Sequence, residues 1–241
     1  MTTKLRSSPS FMTLPYFFIS NFDKDRPEID LDEDNSRHIV QVLRMEAGEN
    51  LQLTDGKGIL LTATITAAHK KKCRVVVQST TIHPPPERQV SVAISPLKNG
   101  SRFEWFLEKA TEIGVREIIP LLCDRTERQH LRPDRLHNIL ASALLQSQQT
   151  WLPVLRPLTE YQQILARRDD RRLIAWLGEN AVAPPVPDRQ STLILIGPEG
   201  DFTPGEAADA MNNGYLPVTL GKNRLRTETA GVVASTLLCI G

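Results

Sequence analysis

LILIGPEGDFTPGE (193–206), a helix-forming segment, and then LPVTLGKNRLRTETA (216–230) decide the fold. Leu193–Ile196 and Leu216–Leu220 are short apolar runs that each break at a glycine, as strands buried in a parallel sheet do. Between them Thr203 can cap a helix, with Pro204 in its first turn and Glu206 reaching back to the cap, and Gly214 supplies a left-handed stop. The order is strand, glycine loop, helix, strand, glycine loop, helix. Ligands of open α/β sheets sit outside the carboxyl ends of the strands, so residues 197–201 and 221–226 are expected to face one pocket.

The two loops differ in charge. Glycines ahead of a helix N-terminus suit a phosphate, but Glu199 and Asp201 would repel one, so the first loop suits a neutral or cationic ligand read by backbone groups. In the second loop Lys222, Arg224 and Arg226 fall within five residues with no acid among them, which suits an anion. A cationic or neutral small molecule beside a polyanion is what a methyltransferase using S-adenosylmethionine on RNA needs. The same two acids argue against a phosphate-dependent nucleotide enzyme.

IGPEGDF (196–202), LG (220–221) and LRTETA (225–230), with HIVQVLRM (38–45), LTDGKG (53–58) and EKATEIGV (108–115), resemble the signature segments of the RsmE family. These are SPOUT-class methyltransferases of N3 of a uridine in small-subunit (16S) ribosomal RNA. The resemblance implies a PUA-like β-barrel that binds RNA over residues 14–86 and an α/β SPOUT domain over 87–241, with a parallel sheet, a C-terminal trefoil knot and a homodimer. It implies that Ile196, Gly197, Gly200, Leu220, Gly221, Leu225 and Thr229 hold S-adenosylmethionine. It points to His38, Arg44, Lys98, Arg102 and Arg224 as RNA contacts.

Methyl transfer from a sulfonium is an in-line displacement, and the uridine N3 proton must leave before or during attack. Arg226 can bond a carbonyl oxygen or a phosphate, and Glu228 or Glu199 could take the proton. Each acid also has a structural reading: Glu228 as a first-turn acid favoured by the helix dipole, Glu199 as a carboxylate that fixes its own loop. One departure stands out. Many family members carry Gln-Ser-Gly-Arg after the second helix of the catalytic domain, where this chain has Gln146, Ser147, Gln148 and Gln149. The chain also stops at Gly241, soon after its last helix, which predicts a weaker dimer contact there. The alternative function is a catalytically silent RNA-binding or ribosome-assembly protein that keeps the fold, against which the intact cofactor loops argue.

The 241 residues suffice for one large or two modest domains, and 40% hydrophobic with 24% charged is ordinary for a globular chain. Net charge is +1, with 11 basic and 10 acidic residues in 1–86 and 18 of each after that, so RNA contact must come from local patches. Cys73, Cys123 and Cys239 are widely spaced and form no CxxC pair, which points to reduced thiols in the cytoplasm and no metal site. No run reaches the roughly 18 apolar residues of a membrane span.

In chain order, residues 1–13 read as an extension without periodic signal. Leu51–Leu53, Ile59–Ile65 and Cys73–Val77 read as strands around the turn Asp55–Gly58, and Ser36–Leu43 as one helix presenting Ile39, Val40 and Leu43. His83 to Glu87 contains three prolines and marks the boundary. Beyond it strands at Val90–Ser95, Glu117–Leu122 and Leu173–Leu177 alternate with helices from Arg102 to Ile113 and from Pro133 to about Gln148; Ser101 with Glu104 forms an expected capping box.

Overall fold

The computed structural model describes residues 14–20, 23, 26–178, 180–186 and 188–240; the expected N-terminal extension lies outside them. The chain divides into two compact units, one comprising residues up to 55 with 59–83, the other 56–58 with 84–241.

The first unit contains β1 (Tyr16–Phe18), β2 (Glu28–Asp30), α1 (Glu33–Arg37), β3 (Asn50–Thr54), β4 (Ile59–Ala67) and β5 (Arg74–Ile82). They form one five-stranded sheet in the order β1-β3-β4-β5-β2, antiparallel except for β1 beside β3. Alternation along β4 sends Ile59, Leu61, Ala63 and Ile65 into a core shared with Leu51, Leu53 and Ile39. The turn between β3 and β4 uses Gly56 and Gly58 at φ 67° and 95°, as the sequence leads one to expect. The single helix expected over Ser36–Leu43 is instead two windings. Asp32 caps α1 by accepting from the Asn35 amide at 2.8 Å, and the chain then widens into a π-helix, His38–Val42, where the Leu43 amide donates to the His38 carbonyl. The extra residue per turn rotates Leu43 outward to 43% exposure while Ile39 stays buried.

The second unit runs β6 (Val90–Ile94), α2 (Gly100–Ile113), β7 (Glu117–Leu122), α3 (Pro133–Gln146), β8 (Val154–Leu155), β9 (Thr159–Glu160), α4 (Tyr161–Leu165), β10 (Arg171–Ala175), β11 (Thr192–Ile196), α5 (Pro204–Asn212), β12 (Leu216–Val218) and α6 (Thr227–Cys239). The strands make a parallel sheet in the order β12-β10-β11-β6-β7-β8, with β9 also beside β7. Both faces are covered. Along β11, Ile194 and Ile196 join the core of α2, α3 and α6 (Phe106, Leu140, Ala234), whereas Leu193 and Leu195 join that of α4 and α5 (Ile164, Ala210). A strand with both faces buried has no polar alternation, which is why the central strands read as unbroken apolar runs.

Two local expectations are corrected. The Ser101–Glu104 capping box does not form: Asn99 is the cap, its side chain accepting from the Ser101 amide at 3.0 Å, and Arg135 takes the Glu104 carboxylate, Nη2 to Oε2 2.9 Å. The strand expected over Leu216–Leu220 ends at Val218. The box at α5 does form, with the Thr203 amide donating to Glu206 Oε2 at 2.8 Å and the Glu206 amide to Thr203 Oγ1 at 3.1 Å.

Gln148, at the position where the resemblance implies glycine in many members, has φ 54°. A side chain in this region costs about 1–2 kcal/mol, against roughly 0.5–1 kcal/mol of extra backbone entropy lost by glycine. Gln148→Gly is therefore expected to stabilise the protein by up to about 1 kcal/mol, and a lower midpoint in urea would contradict it. Gln149 donates from Nε2 to the Thr111 and Glu112 carbonyls at the end of α2, at 3.1 and 2.8 Å.

Candidate active site

Because β10 lies between β11 and β12, its carboxyl end comes between the two glycine loops. There the structure has a cavity of about 420 Å³. Ile196 to Glu199 and Asp201 line it at and beyond the end of β11, and Ala175, Trp176 and Leu177 at and beyond the end of β10. Val218, Leu220, Gly221 and Asn223 to Arg226 follow from β12, with Thr227 and Ala230 at the start of α6 and Arg102 from α2. The sequence expectation that both loops share a pocket holds. Ala175 to Leu177 were missed, because nothing local in the sequence shows that β10 is sandwiched between two strands that follow it.

The first loop is held from behind. The Asp201 amide donates to the Pro198 carbonyl at 2.9 Å, and Asp201, at φ 64°, accepts from the Phe202 amide at 2.8 Å. A Cβ on Gly197 would stand 3.0 Å from the Phe202 ring and 3.1 Å from its amide nitrogen, so this glycine admits the buried Phe202 rather than only a ligand. Gly200 lies outside the cavity lining, its carbonyl accepting from Arg125 Nη1 at 2.7 Å. Tyr161 donates to the Glu206 carbonyl at 2.6 Å, and the Asp124 amide to Glu206 Oε1 at 2.9 Å. Burial next to Glu206 pushes the Tyr161 hydroxyl well above its ordinary range, which keeps it a neutral donor.

The second loop is open. Gly221 has φ 146° and nothing within 4 Å of an added Cβ. Arg224 and Arg226 are exposed, line the cavity, and form no ion pair among the described residues. Arg226 is the N-cap residue of α6 with no side-chain cap bond. Glu228 follows in the first helical turn, 7% exposed and outside the cavity lining, with Oε2 lacking any hydrogen-bond partner. Thr229 is half-buried and also off the lining. Lys98 reaches Glu127, Nζ to Oε2 2.9 Å, while its amide donates to Glu199 Oε2 at 3.4 Å. In the first unit His38 stands edge-on to Phe17 with ring centroids 5.8 Å apart, and Arg44 has φ 56°.

These residues fit S-adenosylmethionine on their own chemistry. The volume is that of a small-molecule site, the walls at Ile196, Val218, Leu220 and Leu225 are apolar, and Glu199 and Asp201 put negative charge where a cationic ligand is favoured. Gly221 leaves backbone bare with open space before it. Among the described residues no cluster of His, Cys, Asp or Glu could hold a metal ion, and no helix is long and apolar enough to cross a membrane.

Residues 84–239 match the family model for an RNA methyltransferase domain, and residues 31–78 that for an RNA methyltransferase PUA domain. Ribosomal RNA small subunit methyltransferase E of Synechocystis sp. is 32% identical over 82% of this chain and 68% of its own length. The chain belongs to the ribosomal RNA small subunit methyltransferase E family. The Bacillus subtilis member is 27% identical over 88% of this chain and 89% of its own. A solved structure from Porphyromonas gingivalis shares 40% identity at a TM-score of 0.86, covering 92% of this chain and 96% of that one. The Neisseria gonorrhoeae enzyme of the family, solved bound to S-adenosyl methionine, shares 28% at a TM-score of 0.83, covering 92% and 95%.

Proposed function

We propose that this protein transfers a methyl group from S-adenosylmethionine to N3 of a uridine in 16S ribosomal RNA. The observation that carries the reading is the cavity, built from the two signature loops, with carboxylates on the first loop and unpaired arginines on the second. When bound, S-adenosylmethionine supplies the methyl group on a sulfonium. The chain's part is alignment, exclusion of water and handling of one proton. Ile196, Leu220 and Leu225 give the apolar walls and Gly197 and Gly221 the close backbone, while Gly200 and Thr229 act from outside the lining. Of the two acids considered for the proton, Glu199 lines the cavity and Glu228 does not, so Glu199 is the acceptor this geometry favours. Arg226 bonds the base or its phosphate. His38, Arg44, Lys98, Arg102 and Arg224 complete the RNA-facing set, residues 14–86 being the RNA-binding domain and 87–241 the catalytic one.

The reading extends to a cytoplasmic homodimer with a C-terminal trefoil knot. Trp105 on α2 and Leu237 and Ile240 at the end of α6 are exposed apolar groups on neighbouring helices, which supports a covered face. Light scattering is expected to give twice the 27.0 kDa of the chain; a monomer at micromolar concentration would contradict it. For the activity, purified protein is incubated with labelled cofactor and either small subunits or naked 16S RNA from cells lacking the modification. Digestion and mass spectrometry should yield 3-methyluridine from at least one substrate. Label in any other nucleoside, or none, sinks the assignment.

A further inference from the structure

Arg102 has two carboxylates within reach and hydrogen-bonds to neither. Its Nε lies 3.7 Å from Glu228 Oε1 and its Nη1 3.7 Å from Glu199 Oε1, beyond the roughly 2.7–3.2 Å of an N–H···O bond. Several other arginine–carboxylate pairs do close that gap: Arg74 Nε to Asp30 Oδ1 is 2.8 Å, and Arg167 meets both oxygens of Asp169 at 2.9 Å, whereas the highly exposed pair Arg26–Asp23 stays at 3.5 Å. Among the described residues the Arg102 guanidinium thus keeps its donors clear of any hydrogen bond, on a side chain that lines the cavity. Behind it stands Glu228, more than nine-tenths buried, with one oxygen toward Arg102 and the other unpartnered. An incompletely satisfied buried carboxylate costs stability, and such groups persist where they serve a site.

A phosphate contact at Arg102 is disfavoured by the same geometry. A phosphate placed against this guanidinium would also meet Glu199 and Glu228, whereas Arg224 and Arg226 offer the same charge with no acid in ion-pair reach among the described residues. Developing charge on a neutral base is a different matter, because it arises only as the reaction proceeds.

Resting on the uridine reading above, we propose that Arg102 is a catalytic residue that stabilises the negative charge developing on the uracil carbonyl oxygens, and that Glu228 is its positioning residue. As the N3–H proton passes to the Glu199 carboxylate, the electron pair left on N3 spreads onto O2 and O4, where the free N–H donors of Arg102 meet it. That pair forms the N3–CH3 bond while the S–CH3 bond breaks, its electrons staying on sulfur, so sulfonium and uracil anion both end neutral. Glu228, off the cavity wall, never touches the base; it fixes the angle from which Arg102 approaches.

The test compares wild type, Arg102→Ala, Arg102→Lys, Glu228→Gln, the double variant Arg102→Ala with Glu228→Gln, and Arg224→Ala. Single-turnover methylation, cofactor affinity by calorimetry and the salt dependence of RNA binding are measured, together with turnover on small subunits reconstituted with 5-fluorouridine RNA, whose N3–H is more acidic. Arg102→Ala should slow the chemical step about 100- to 1,000-fold, as loss of an oxyanion donor does, with cofactor affinity and salt slope unchanged and at least about tenfold of the loss restored by 5-fluorouridine. Arg102→Lys should lose less than Arg102→Ala. Glu228→Gln should slow the step about tenfold and add nothing in the double variant, the non-additivity of groups acting as a unit. Arg224→Ala should weaken RNA binding and lower the salt slope by about one.

An Arg102→Ala protein that binds RNA with a reduced salt slope but keeps its single-turnover rate would make Arg102 a phosphate contact and overturn the proposal. So would a slow variant that 5-fluorouridine does not help, or one that has lost cofactor binding. Wild type that methylates no uridine fails the underlying reading and the proposal together; active wild type with an unimpaired Arg102→Ala fails the proposal alone.

Discussion

Gly221→Val is expected to weaken S-adenosylmethionine binding by at least about 100-fold, roughly 2.7 kcal/mol, while leaving a cooperative thermal transition. At φ 146° no branched side chain sits without strain of about 1–3 kcal/mol, and the space into which a Cβ would project holds no protein atom within 4 Å. Residue 221 is exposed and faces the cavity, so the strain relaxes by moving the loop that forms the wall, not by disturbing the core. Gly197→Val, in the other loop, should fail differently. There the added atoms meet the ring and amide of Phe202, which is 1% exposed and packs on Tyr161 with ring centroids 5.9 Å apart. Binding and melting temperature should fall together. Calorimetry beside a thermal scan separates the two, with Arg226→Ala as the variant expected to retain cofactor binding. Affinity of Gly221→Val within threefold of wild type would remove the second loop from the cofactor site.

This contrast shows how far the residues alone carry. The sequence exposes backbone requirements that act over a few positions: the Thr203–Glu206 box, the left-handed Gly214 at φ 83°, and the glycine ends of β11 and β12. It exposes the sheet as well, because strands buried on both faces have to be apolar throughout. What it hides is set by strand order. Trp176 and Leu177 become cavity wall only because β10 is inserted between two strands that follow it in the chain. Competition between partners is equally invisible. Ser101 and Glu104 have the spacing of a capping box, yet Asn99, two residues earlier, takes the cap position ahead of Gly100, and Arg135, 31 positions away, offers Glu104 a charged partner. The same holds for Arg102. With Lys98, just beyond the first strand of the catalytic domain, it reads through the family resemblance as an RNA contact, and only the fold shows Glu199 and Glu228 on either side of it.

Gly231 has no such local signature, and its substitution is expected to destabilise the protein most. It sits inside α6, where glycine is less favourable than alanine by about 1 kcal/mol on propensity alone. An alanine Cβ, however, would lie 2.7 Å from two ring carbons of Phe106 and 2.8 Å from Ile94 Cδ1, and both side chains are fully buried between α2, α6 and β6. Overpacking a dense core costs typically 1–3 kcal/mol, so Gly231→Ala should lose up to about 2 kcal/mol after its propensity gain. Gly231→Val adds two methyls and a stiff χ1 at the same point, and about 3 kcal/mol or more is expected. At roughly 2–4 °C per kcal/mol for a chain of this size, the valine variant should melt about 6–12 °C lower. The neighbours cannot yield cheaply: Ile94 is the last residue of β6, and the Phe106 ring also packs among side chains of the same core. The alternative is for α6 to move outward. Since Thr227 and Ala230 on that helix line the cavity and Glu228 faces Arg102, outward movement should also weaken cofactor binding in proportion to the lost stability. An alanine variant more stable than wild type by about 1 kcal/mol would show that helix propensity wins and that this close approach of α6 to α2 relaxes freely.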